Sequence, residues 1–127
     1  MSTLKADTIQ STSGGAATLT NQQAAKAWFN KASNGASFSD SFNMSSIDDD
    51  GSGDFGLHFT NSFDSANYAP VAMVDDVATT DTQVTVDITN GTRTSSSVDM
   101  ETAYGNASTN RINSDAIVTG CIHGDLA

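Results

Sequence analysis

From Ser37 onward the apolar positions recur every second residue. Phe38, Phe42 and Met44 are spaced by twos and fours, and Ile47 breaks the step by one, which predicts a bulge. Phe55, Leu57 and Phe59 fall on one face of the next run, with Gly56, His58 and Thr60 on the other. Further runs follow at 68–74, at 83–89 (Val84, Val86 and Ile88 inward), at 98–102 and at 116–122. An alternation of period two places one face in a core and the other in water. Six such runs, joined by polar connections containing Gly or Asn, predict a mainly β fold, an antiparallel β-sandwich of jelly-roll-like type or else a small barrel.

The first third of the chain reads differently. Residues 2–20 hold few bulky apolar groups and predict an extended arm that cannot bury enough surface alone. Thr20-Asn21-Gln22-Gln23 has the spacing of a capping box, good helix formers follow in AAKAW, and Asn34-Gly35 supplies a stop. This predicts one short α-helix. The expected organisation is therefore an attachment arm and helix over 1–35 and a β-sandwich domain over 36–127. Leu4, Ile9, Leu19, Trp28 and Phe29 are the residues expected to be covered by a partner.

Between two β runs lies SIDDDGSGDFGLHF, residues 46–59. Asp48, Asp50 and Ser52 match positions 1, 3 and 5 of a calcium loop, and Asp54 falls at position 7. The strong ligand of that template, a bidentate Glu at position 12, is replaced by Phe59, and both flanks are strand-like. The pattern favours a hairpin turn, with Asp48, Asp50, Ser52 and Asp54 kept as weak cation candidates and no resident metal or cofactor expected.

Composition narrows the function classes. The chain has 127 residues, the size of one domain. Five basic against fifteen acidic side chains give a net charge of −10, which argues against binding a nucleic-acid backbone or an anionic membrane surface. No window approaches the ~20 apolar residues of a membrane span, and the N-terminus lacks the apolar stretch of a secretory signal. Cys121 is the single cysteine, so an internal disulfide is excluded; its apolar setting, AIVTGCI, reads as a small core residue. His58 and His123 have no obvious ligating partners, and no nucleophile motif is present, so no enzyme activity is expected. Tyr104, in the polar stretch YGNASTN, is the candidate for contact with a surface glycan, or else a lid on the end of the sandwich.

The segments MSTLKADTIQSTSGGAATLTNQQAAKAW and DSFNMSSIDDDGSGDFGLHFTNSFDSANYAPVAMV resemble a recurrent module of tailed-phage virion proteins, the tail-fibre and appendage proteins of cyanophage and marine-phage type. AIVTGCIHGD is similar to the closing strand of that module. The likeness covers most of the chain and is weakest over 76–112. WFNKASNGASFSD departs from the module, which has an aromatic-Asn-Gly ending there. The resemblance implies a structural, non-enzymatic part located in the virion. It also implies a homotrimer, other virion proteins as partners, and a hairpin at the aspartate loop. The alternatives carried beside it are a capsid decoration protein and a calcium- or carbohydrate-binding module.

Overall fold

The computed structural model describes residues 10–13, 25–33, 37–74, 83–106 and 109–127. Among these the chain is mainly β, built from two antiparallel sheets. The strands are β1 (Ala27–Lys31), β2 (Phe38–Phe42), β3 (Met44–Gly51), β4 (Asp54–Phe59), β5 (Ala69–Val74), β6 (Gln83–Arg93), β7 (Ser97–Asn106), β8 (Thr109–Asn113) and β9 (Val118–His123). One sheet has the order β2-β1-β9-β5, and the other β3-β4-β7-β6 with β8 also on β7.

The inward side chains of both sheets form one hydrophobic cluster. Ala27, Phe29, Val118 and Ile122 come from the four-stranded sheet, and Phe55, Leu57, Phe59, Val98 and Met100 from the five-stranded one. The period of two therefore assigns the faces of β4 and β7 correctly. Phe55, Leu57 and Phe59 are buried, while Asp54 and His58 turn outward.

The helix expected from Thr20 to Asn34 is corrected. Residues 20–24 lie outside the described residues, and Ala27–Lys31 is a strand that pairs with β2 on one side and β9 on the other. The reason is non-local. In the sequence AWFNK a strand buries Ala27, Phe29 and Lys31 together and turns Trp28 and Asn30 the other way. A helix would spread the same residues around its axis. Nine backbone pairings in two neighbouring strands outweigh a few tenths of a kcal/mol per residue of helix preference. The boundary expected at residue 35 thus runs between two strands of one sheet. Leu4, Ile9 and Leu19 lie outside the described residues.

Two local features set the shape. The single run expected from Phe38 to Ile47 is two strands in different sheets, and Asn43 is the corner between them, with φ of 58°. Asn tolerates this left-handed conformation better than most residues. Its side chain fixes the corner. Nδ2 donates to the carbonyls of Lys26 and Asn61, both at 3.1 Å, and Oδ1 accepts from the Asn61 backbone amide at 2.7 Å. The expected bulge is present, as a register shift between Met44 and Ser46.

The second feature is Gly120, which pairs directly with Phe29. A Cβ on Gly120 would stand 2.7 Å from two carbons of the Phe29 ring and 2.9 Å from the Val71 carbonyl oxygen. The ring occupies the space that any other residue on β9 would need. Gly120→Ala is expected to cost about 2–3 kcal/mol by overpacking. Urea denaturation with an unchanged m-value checks this, and a variant as stable as the parent contradicts the fit.

Candidate functional site

The aspartate stretch is the β3–β4 hairpin, turning at Ser52 and Gly53. Gly53 has φ of 73°, and a Cβ there would lie 2.4 Å from the Thr102 carbonyl oxygen and 2.6 Å from the Ser114 amide. Only glycine meets both demands. The tip is fastened to β7 and to the segment before β9. The Gly53 amide donates to Asp115 Oδ1 at 2.7 Å, and the Thr102 amide donates to the Gly53 carbonyl at 2.7 Å. Thr102 Oγ1 donates to the Ser114 carbonyl at 2.7 Å.

Within the hairpin the carboxylates have separate local tasks. Asp49 Oδ1 accepts from the Gly51 amide, and Asp48 Oδ2 lies 2.7 Å from His58 Nε2. Asp50 is exposed on the outer end of β3, and Ser52 Oγ reaches the Asn113 carbonyl at 3.5 Å. Among the described residues no three His, Cys, Asp or Glu side chains gather in a metal-binding group.

Lys31 was not singled out from the sequence, yet its side chain is fully buried. Nζ donates to the Ala116 carbonyl at 3.0 Å and the Ala32 carbonyl at 3.2 Å, and stands 4.9 Å from the centroid of the Phe55 ring. Burial lowers its pKa below the ordinary 10.5, and the negative charges of Asp115 and Asp49 oppose that shift. The signal in the sequence was its place in step with Ala27 and Phe29.

At the other end Phe59, Phe63 and Tyr68 form an aromatic cluster, with Phe59 edge-on to both of the others at 4.9 and 5.5 Å. The Tyr68 hydroxyl donates to the Ser97 carbonyl at 2.7 Å. Burial pushes this phenol up to about 12, with Arg93 pulling it down and Asp99 adding to the rise.

The outer faces of the two sheets carry opposite chemistry. On the five-stranded sheet, Asp54 of β4, Glu101 of β7 and Asp87 of β6 occupy one cross-strand row, and Asp48, Gly56 and Asp99 occupy the next. On the four-stranded sheet, Phe42, Trp28, Cys121 and Val71 are consecutive partners across β2, β1, β9 and β5. Met73 lies two residues along β5 on the same side. Phe42 is 53% exposed, Val71 58%, Met73 75% and Trp28 38%. Single exposed apolar residues are ordinary, whereas these lie side by side in one row across the sheet.

This separates residues that sequence reasoning had grouped. Trp28 and Phe29, both expected at a partner boundary, point to opposite sides: Phe29 is buried in the chain's own core and Trp28 is on the apolar face. Cys121, read as a core residue, is half-buried on that outer face, with Sγ 3.5 Å from His123 Nε2. Tyr104 is half-buried in β7, opposite Val84 and Ile112, not in a polar loop. Phe42, Val71 and Met73 were missed as a group, because their juxtaposition depends on strand order and not on spacing.

A cleft of about 400 Å³ opens between β5 and β6, lined by Pro70 and Ala72, by Val86, Asp87 and Ile88, and by Met100 below. Among the described residues Asp87 is its one ionisable lining residue, so these offer shape and apolar contact but no acid–base pair. Among the described residues no helix is long and apolar enough to cross a membrane. Compared with protein-family models, with curated proteins and with solved structures, the chain matches none.

Two predictions follow from this geometry. Tyr68 is held protonated in the fold, with a pKa above its ordinary 10, so its contribution is intact below pH 10 and is lost as pH rises toward about 12. Tyr68→Phe is expected to cost about 1–2 kcal/mol at neutral pH and to flatten the alkaline loss of stability; denaturation at pH 7 through 12 checks both. Calorimetric titration with calcium is expected to show no micromolar binding at the hairpin, whereas tight binding abolished by Asp50→Ala contradicts the reading of a structural turn.

Proposed function

We propose that the chain is a structural part of a phage virion, a compact tail-fibre or tail-associated appendage component with no catalytic role. The observation that carries this reading is the division of labour between the outer faces. An apolar row crosses one sheet, and paired acidic rows cross the other. Such a body has one side suited to burial in an assembly and one suited to water.

The address within a virion comes from the likeness of SFNMSSIDDDGSGDFGLHFTNSFDSANYAPV to the phage module. What supports a roll-like sandwich is that the connections β2–β3, β4–β5, β5–β6 and β8–β9 each pass from one sheet to the other. The partners on this reading are other virion proteins and copies of the chain itself. The acidic sheet and its hairpin face outward, where Asp48, Asp54, Asp87, Asp99 and Glu101 keep the displayed surface soluble.

Particles banded from a lysate of the host that carries this gene are expected to contain the chain at a fixed number of copies per particle by quantitative mass spectrometry. In density maps of those particles the sandwich is expected on the tail with its apolar face covered. Its absence from purified particles overturns the reading.

A further inference from the structure

We propose that the outer face of the β2-β1-β9-β5 sheet is where two copies of this chain pack against each other, face to face, around the row Phe42–Trp28–Cys121–Val71. The inference rests on the proposed function and deepens it by naming the surface and the partner, with a two-fold pair in place of the homotrimer that the resemblance implies. It rests on the placement of charge as much as on apolar exposure.

Four large apolar side chains stand exposed on this one face, three of them in a single row that spans every strand of the sheet. Asp40, at the β2 edge, is the one acidic residue among the outward positions of the face. Its Oδ1 accepts from the Ser41 amide at 2.8 Å.

A protein of net charge −10 repels its own copies through most orientations. Face-to-face pairing by this sheet is the arrangement that avoids the repulsion. Sheets pack about 10 Å apart, so two sandwiches joined this way place their acidic outer sheets roughly 30 Å from each other. The Debye length at physiological ionic strength is about 8 Å, so the two acidic faces are screened from one another. A second copy also supplies what any occupant of this face must have, an apolar surface whose one carboxylate, Asp40, lies at its edge.

The size of the face sets the strength. Four strands about 4.8 Å apart and some six residues long at about 3.3 Å each give roughly 400 Å² per copy. That is below the ~800 Å² per partner of a standard interface, so the association is reversible and concentration-dependent. Screening the net charge with salt strengthens it.

Trp28, the only tryptophan in the chain, sits inside the row and reports on it. Sedimentation velocity of the full chain, from low micromolar to near-millimolar concentration, is expected to show a monomer–dimer equilibrium. Over the same range Trp28 emission shifts to the blue and becomes shielded from iodide. Met73→Asp and Val71→Asp each weaken the dimer at least about tenfold. Should Val71→Asp fail to melt cooperatively, Met73→Asp decides, since Met73 is three-quarters exposed.

A chain that stays monomeric throughout overturns the proposal. In that case shielded Trp28 emission assigns the face to cover from within the chain, and quenchable emission assigns it to a different protein. A three-fold species, or a dimer indifferent to both substitutions, overturns it equally. These outcomes are separable from the virion reading. A monomer found stoichiometrically in particles removes only the pairing surface, and a dimer absent from particles removes only the virion role.

Discussion

The four-stranded sheet exists because β1 lies in its middle, and β1 lies there because the Phe29 ring fills the space left by Gly120. Without β1, β2 has no connection to β9 and β5. The same strand delivers Lys31 to the end of the core, where two backbone carbonyls receive its ammonium group. A fully buried lysine is costly unless its donors are met, and among the described residues no buried side-chain polar atom is left without a partner. One five-residue strand thus fixes sheet order, fills the core and closes an end of it.

Around this strand the chain repeatedly moves between layers, and local devices fix the β2–β3 passage and the β3–β4 hairpin. Asn43 turns the backbone through a left-handed corner and holds it with side-chain bonds to Lys26 and Asn61. Gly53 tucks the hairpin tip under Thr102 and Ser114. The polar residues that dominate the composition act chiefly as fasteners at such points. The polar hairpin that looks most like a binding loop is therefore held by bonds internal to the fold, while the exposed apolar row is assembled from residues distant in sequence.

Much of the fold was legible because alternation is a local signal. Phe55, Leu57 and Phe59 declared the inner face of β4, and 98–102 and 116–122 declared β7 and β9. The hairpin was readable from Asp and Gly chemistry. β1 was not, because a capping pattern at Thr20 and good helix formers after it outweighed a five-residue alternation whose two pairing strands lie far along the chain. β8 was hidden for a related reason. TNRIN has no apolar alternation and is ordered by pairing with the end of β7, and Tyr104, read as part of a loop, belongs to that strand. The candidate surface was legible least of all, since Phe42, Trp28, Cys121 and Val71 become neighbours only once the strand order is known.

The only proline in the chain, Pro70, falls on β5, the outermost strand of its sheet. A proline carries no amide hydrogen, so an incoming strand seeking to extend the sheet sideways meets a gap in the ladder. Lateral, fibril-like growth is discouraged at that rim. A polypeptide with an oily flank is thereby guarded against polymerising through that one margin.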